Sequence, residues 1–292
     1  MTGNADQLAQ GRPSTEPLYS KGTREHFPIP SKYQKVKYTD FISSHVKNCD
    51  DMLISQSLHK KRFSGIFGPH KKYKKSGGFW GGGFEHSWGK KRTYDDLVEY
   101  VKQEWKSNKH IFSLTADDES GSFYVYLVKG YGDVQSIVKG KDLSLVEKNW
   151  DNGKMITSCT SKGSTYYIVM TDNVNGYHGK GQTYISTSSW SDIENEIGKH
   201  YKDGKIITSI CYNQGLQEYL VVMTTSSAGQ SYKWTNNPTS NPTKTWMDKM
   251  YKVKDYHPTI IFEDPNDDQT LIVMTSDNDR TCYTTRYNYE LV

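Results

Sequence analysis

The last two-thirds of this chain repeats one sequence unit four times, which confines the fold to a stacked or ring-closed array. The copies start at Trp105, Trp150, Tyr201 and Tyr251, at steps of 45, 51 and 50 residues. Trp150-Asp-Asn-Gly-Lys-Met-Ile-Thr-Ser158 aligns with Tyr201-Lys-Asp-Gly-Lys-Ile-Ile-Thr-Ser209. A second block recurs as Tyr167–Thr171, Leu220–Thr224 and Leu271–Thr275, and a third as Gly181–Tyr184 and Gly229–Tyr232. The first copy, Trp105–Ser113 followed by Tyr124–Val128 and Gln135, is looser. In the last, Tyr256-His-Pro-Thr259 replaces the Ile-Ile-Thr-Ser start. Atypical terminal copies belong where stacked units meet solvent or each other.

Each copy reads as a helix and then strands. Thr93 is an N-cap candidate, acids follow in the first turn, and apolar residues at 97, 98, 101 and 105 share one helical face. In the third unit Ser189 or Ser191 caps a helix whose face is Trp190, Ile193, Ile197 and Tyr201. Asn152-Gly153 and Asp203-Gly204 supply left-handed residues at helix C-termini. The stretches 206–212, 218–225 and 230–234 are rich in β-branched and aromatic residues and are separated by Gly, Ser and Asn, which predicts antiparallel hairpins. The repeated Thr-Ser and Met-Thr pairs read as strand alternation, one face packed and one polar. The expected fold class is α+β: four helix–strand–strand–strand repeats in an antiparallel sheet array. A closed, propeller-like ring of small sheets and a continuous sheet backed by helices both fit.

A second domain precedes the repeats. Residues 1–92 read as an extended, basic, Gly/aromatic-rich tail and residues 93–292 as the four-repeat domain. Within the tail, residues 59–92 hold ten Lys/Arg against the single acid Glu85, although the whole chain is only +4. Residues 93–292 are net acidic. A basic tail on an acidic body predicts a polyanionic partner. The residues expected to meet it are Lys60, Lys61, Arg62, Phe67, Lys71, Lys72, Tyr73, Lys74, Lys75, Phe79, Trp80, Lys90, Lys91 and Arg92. The segment 59–92 has too little apolar area to offset its own chain entropy. Residues 38–58 have room for a short helix, with Asp40 as N-cap.

Composition narrows the setting. The chain is 34% hydrophobic, yet it carries 22 Tyr and 7 Trp, amphipathic rings that fill a core or cover a partner. No stretch has the roughly 20 apolar residues needed to span a bilayer. The start, Met1–Asp6, has no basic residue followed by an apolar run, so no secretory signal is expected. Cys49, Cys159, Cys211 and Cys282 lack metal-ligand spacing. Cys159 and Cys211 lie in equivalent strands, where a small buried thiol is the natural reading, so a reducing, intracellular setting follows.

Catalytic motifs fail in detail. Gly83–Lys91 has five residues between its glycines, not four, and Lys where a phosphate loop needs Ser or Thr. Gly176–Gly181 sits between strands with no helix to receive a pyrophosphate. The nine histidines show neither His-Glu-x-x-His nor paired Cys/His spacing. Asp117–Glu119 and Asp264–Asp268 read as acidic hairpin loops. No catalytic residue, cofactor or metal is expected.

The recurring blocks Trp150–Ser158, Tyr167–Thr171, Gly181–Tyr184, Trp190–Ser209, Leu220–Thr224, Gly229–Tyr232 and Leu271–Thr275 resemble the repeated module C-terminal to the kinase domain in plant and algal casein-kinase-1-like kinases. The resemblance covers roughly residues 93–292 and implies a binding or scaffolding part. The kinase half has no counterpart here: His-Arg-Asp, Asp-Phe-Gly and Val-Ala-Ile-Lys motifs are missing. The leading expectation is therefore a non-enzymatic structural or adaptor protein. Its basic tail would bind an acidic filament, tubulin above all, in the cytoskeleton, cilium or axoneme. The competing readings are a nucleic-acid or chromatin adaptor, through phosphate contacts and base stacking, and a kinase-associated scaffold or enzyme with a pocket at the repeat axis.

Overall fold

A computed structural model of the chain describes residues 35–38, 42, 51–59, 62–69, 85–131, 134–172, 181–236, 240–254, 256–266, 269–276 and 284–291. Among them run strands β1 (Lys35–Val36), β2 (Asp51–His59), β3 (Arg62–Pro69), β4 (His86–Lys91), β5 (Lys109–Ala116), β6 (Phe123–Lys129), β7 (Gln135–Gly140) and β8 (Met155–Lys162). They continue as β9 (Thr165–Thr171), β10 (Thr183–Thr187), β11 (Lys205–Asn213), β12 (Glu218–Thr225), β13 (Gln230–Thr235), β14 (Tyr256–Glu263), β15 (Thr270–Ser276) and β16 (Thr284–Leu291). The described helices are α1 (Tyr94–Lys106), α2 (Ser144–Asp151), α3 (Trp190–Lys202) and α4 (Asn241–Lys254).

The helices begin where local chemistry dictates. Thr93 Oγ1 accepts the Asp96 N–H at 3.1 Å, and the Asp96 carboxylate accepts the Thr93 N–H at 3.2 Å, a complete capping box. Ser189 Oγ accepts the Asp192 N–H and starts α3. Gly153 and Gly204 hold φ of 79° and 71° just past α2 and α3, the left-handed region that a side chain disfavours. Leu97 and Val101 of α1, and Ile193 and Ile197 of α3, are buried at i, i+4 spacing. Tyr38 and Ile42 are likewise helical, four residues apart and buried.

The fold is α+β and antiparallel, with an outer–central–inner strand order. Sheet II is β4-β6-β5, sheet III β7-β9-β8, sheet IV β10-β12-β11 and sheet V β13-β15-β14. Sheet I is β1-β16-β3-β2, with β1 added parallel to β16. Along the chain each repeat does read helix–strand–strand–strand. In space its third strand leaves to become the outer strand of the next sheet: β7 pairs with β9, β10 with β12, and β13 with β15.

Two sequence expectations change here. Residues 51–59, 62–69 and 86–91, read as extended tail, are strands. β2 and β3 form a hairpin whose free edge pairs with β16, and β4 is the outer strand of sheet II. The entropy argument treated this segment alone, whereas partners from elsewhere in the chain complete it. The 92/93 boundary consequently falls between β4 and α1, inside one unit. The expected alternation of packed and polar faces also fails in the central strands. Both faces are covered, with Phe123–Val128, Tyr166–Met170, Leu220–Met223 and Leu271–Met274 buried throughout.

The reason is the stacking of the sheets. Leu97 and Val101 of α1 pack with Phe123, Val125 and Leu127 of sheet II and with Tyr167 and Val169 of sheet III. Val146 of α2 joins Tyr166, Ile168 and Met170 of sheet III to Leu220 and Val222 of sheet IV. Ile193 and Ile197 of α3 join Tyr219, Val221 and Met223 of sheet IV to Leu271 and Val273 of sheet V. Alternate residues of one central strand thus enter two different cores. Each such side chain is worth about 1.5–3 kcal/mol in burial.

A glutamine secures each strand transfer. Gln135 Oε1 accepts the Ile111 N–H at 2.6 Å, and its Nε2 donates to Ile111 O and Thr171 Oγ1, both at 2.8 Å. Gln182 does the same for Ile156 and Thr224, and Gln230 for Ile207 and Thr275. Each carboxamide replaces one rung of a neighbouring strand on the inner strand's open edge. The ring that ends or follows the preceding helix closes the arrangement: Trp105 Nε1, Trp150 Nε1 and Tyr201 Oη donate to the same glutamine oxygens. In β4 the position holds His86, opposite Val128, with Nδ1 3.0 Å from Tyr126 Oη. Replacing Gln230 by Leu leaves the buried Ile207 N–H and C=O without that partner. The expected loss is about 2–4 kcal/mol, measured by urea denaturation, while the exposed Lys199→Ala change stays within about 0.5 kcal/mol.

Candidate binding sites at the inner strands and in the basic connection

Each inner strand carries a bulge soon after its start. The register shifts between Ile111 and Ser113, Ile156 and Ser158, Ile207 and Ser209, Pro258 and Ile260, and Leu53 and Ser55. The bulged Thr157, Thr208 and Thr259 place their hydroxyls 2.8–2.9 Å from Thr171, Thr224 and Thr275, extending each glutamine's network. Beyond the bulge, hydroxyls of one inner strand cover the open backbone edge of its neighbour. Ser158 and Thr160 accept the N–H groups of Leu114 and Ala116 at 3.1 and 2.9 Å. Ser209 accepts from Cys159 at 3.1 Å, while Ser55 and Ser57 accept from Ile261 and Glu263 at 3.2 and 2.9 Å. Gln56 Nε2 reaches Ser113 O and Tyr124 O, linking sheet I to sheet II. Tyr38 donates to Gln56 Oε1 at 2.9 Å and stacks edge-on against Tyr124.

One seam breaks the rule. In β14, Ile260 and Phe262 stand in the register that Ser158 and Thr160 fill in β8. The boundary of sheets IV and V is accordingly aromatic and apolar, with Tyr212, Tyr219, Trp190 and Trp234 around Phe262. At its end Tyr219 Oη donates to Asp264, and Asn266 Nδ2 donates to Tyr219 Oη at 3.2 Å.

The inner strands of all five sheets line one cavity of about 470 Å³. Serine and threonine are the commonest residues of its wall, with Cys159 and Cys211 set among them. Asp117, Asp118, Glu119 and Glu263 stand where the strands run into their hairpins, and among the described residues the lining includes no Lys, Arg or His. The Asp117 carboxylate is committed to the Glu119 and Ser120 N–H groups. Burial raises the Asp118 pKa above the ordinary carboxylate value, against the lowering effect of the Gly163 N–H it accepts. Burial also pushes the Cys211 thiol well up, with Cys159 beside it reinforcing the shift. Among the described residues no group of three or more His, Cys, Asp or Glu is placed to hold a metal, and no helix is long and apolar enough to cross a membrane.

The basic residues expected to meet a partner divide into three sets. Lys90 and Lys91 lie on β4 and face rings of their own sheet and helix: Lys90 Nζ is 5.6 Å from the Tyr124 centroid and Lys91 Nζ 3.8 Å from that of Tyr100. Arg92 follows them, exposed, ahead of α1. Arg62 and Phe67 lie on β3, with Arg62 opposite His59 and Glu290 and Phe67 opposite Leu53 and Thr284. Lys60, Lys61, Lys71, Lys72, Tyr73, Lys74, Lys75, Phe79 and Trp80 lie outside the described residues. By position, 71–80 belong to the connection from the central strand of sheet I to the outer strand of sheet II, so both ends are tied to sheets. It spans residues 70–85, whereas the corresponding connections span 130–134, 172–182, 226–229 and 277–283.

The inner-strand hydroxyls were not singled out from the sequence. Their signal was the hydroxyl recurring at alternate positions, as in Ser158 and Thr160, inside a repeat that otherwise reads as packed strand; Ser55 and Ser57, in the segment read as tail, had no such context. The sequence matches no protein-family model and no curated protein. The resemblance to the casein-kinase-1-like module therefore rests on the repeated blocks alone. Replacing Ser158 by Ala strips the cap from the Leu114 N–H; the expected cost is about 1–3 kcal/mol, read as a lowered thermal midpoint, with Ser158→Thr retaining most of the stability.

Proposed function

We propose that the five sheets close into one ring and that this ring is the rigid body of a non-enzymatic adaptor that docks on an acidic filament, microtubules first. Support for closure comes from the order of contacts. Sheets II, III, IV and V stack in sequence, Ser55 and Ser57 tie V to I, and Gln56 ties I to II. β16 lends its edge to β3 as each earlier outer strand does to the next sheet. Five units then surround one axis, four of them spelled out as sequence repeats and the fifth assembled from both ends of the chain. An open array predicts something different. On deletion of residues 277–292, a closed ring loses hydrogen-exchange protection as far away as β8 and β9 of sheet III. An array that loses protection only in sheet I is open.

The observation that carries the docking reading is the tethering of the basic connection. Lys71, Lys72, Lys74 and Lys75, followed by Phe79 and Trp80, sit in a segment anchored by β3 on one side and β4 on the other. Anchoring reduces the entropy lost on binding. The lysines steer and neutralise an acidic lattice, and the aromatic rings supply the desolvated contacts. Such a body belongs on a cytoskeletal filament, as in a cilium or axoneme, and the resemblance to a scaffolding module agrees with it. Co-sedimentation with microtubules at two salt concentrations, with duplex DNA as competitor, tests the reading. The expected result is pelleting that Lys71/Lys72/Lys74/Lys75→Glu abolishes and DNA does not displace. Full displacement by DNA would move the function to nucleic-acid binding; no pelleting by the unmodified chain rejects the filament.

A further inference from the structure

Two thiols meet where the fold has no need of sulfur. Cys211 of β11 stands in the register that Thr160 fills in β8 and Ser57 fills in β2, where a hydroxyl covers the neighbouring backbone edge. Cys159 of β8 follows Ser158, and its N–H and Sγ both approach Ser209 Oγ, at 3.1 and 3.2 Å. Because Ser209 and Cys211 share one side of β11, Cys211 faces back across the seam to Cys159. The two thiols belong to one packed cluster, and Ser209 Oγ, 3.2 Å from Cys159 Sγ, lies two residues before Cys211 on the same side of β11. Both thiols are free, both are buried in the core shared by sheets III and IV, and both line the cavity. The cavity gives a small polar oxidant a path that the packed side of the seam denies it.

We propose that Cys159 and Cys211 form a reversible disulfide that staples sheet III to sheet IV when a peroxide reaches the cavity they line. The step balances in two stages. The sulfur of Cys159 attacks the peroxide, gaining an oxygen as sulfenic acid and releasing water. The Cys211 sulfur then displaces the second water as the S–S bond forms. Overall two thiols and one hydrogen peroxide give one disulfide and two waters, and a thiol reductant reverses it. Cys159 is the attacking sulfur because the Ser209 hydroxyl, 3.2 Å from its Sγ, can donate to the thiolate, and Cys211 is the resolving thiol. The staple joins residues 52 positions apart on β8 and β11, which belong to different sheets and touch through Ser209 and Ser161. It therefore removes the freedom of two sheets to part at this seam.

The test treats the full chain with hydrogen peroxide, blocks remaining thiols after unfolding, and maps peptides without reductant. The expected result is a linked pair of peptides containing Cys159 and Cys211, two hydrogens lighter than the reduced pair and separated again by dithiothreitol. The oxidised chain should melt about 5–10 °C higher than the reduced one. Cys211→Ser, which carries the hydroxyl of the neighbouring strands, should fold and show neither the link nor the rise. Three results overturn the proposal: both thiols still alkylated after oxidation and unfolding, Cys159 driven on to sulfinic acid, or a link made instead to Cys49 or Cys282.

Discussion

The constraint on which the rest depends is the open edge of the inner strand. A three-stranded sheet leaves one side of its inner strand unpaired, and an unpaired edge exposes a row of N–H and C=O groups. Here the next sheet supplies what a fourth strand would. A glutamine clamps the first rung, a bulge re-aims the backbone, and serine or threonine hydroxyls cover the rungs that follow. The same contacts set how far apart the sheets stand, so that one central strand divides its side chains between two cores. Edge protection and sheet stacking are thus one interaction seen from two sides.

Much of this was legible where the determining contacts are local. The start of α1 follows from Thr93 and Asp96, three residues apart, and Gly153 and Gly204 mark the ends of α2 and α3. Strands β11, β12 and β13 fall within a residue or so of the stretches read from composition. Their grouping was not legible. β7 joins β9 rather than β6, and its first residue, Gln135, bonds to Ile111 and Thr171, 24 and 36 residues away, partners that the sequence of β7 alone does not name. The strand character of residues 51–59 and 62–69 was hidden for the same reason. The apolar residues of that hairpin, such as Met52, Leu53 and Ile54, do not alternate cleanly, and β16, more than 200 residues further on, completes its sheet.

The candidate sites show the same division. The basic run was evident from charge alone, but its tethering between two sheets emerged only with β3 and β4 in place. The sequence placed Cys159 and Cys211 in equivalent strands. The alignment of Ser158 with Ser209 puts them one position out of phase, but it did not show that the offset turns them toward one seam. The apolar seam at Ile260 and Phe262 likewise looked like ordinary strand hydrophobicity until the hydroxyls around the other seams gave it a contrast.

The pairing of β16 with β3 sets an order of events during synthesis. The β2–β3 hairpin is made first, and the strand that covers its edge follows more than 200 residues later. In that interval the nascent chain holds an uncapped strand beside four sheets that finish one after another, each awaiting the outer strand and glutamine of its successor. Contacts of such long sequence separation form slowly, and an uncovered edge can recruit the wrong strand meanwhile. Biogenesis, more than the finished structure, is therefore where this chain is exposed to error, and cellular folding factors would meet it at the β3 edge.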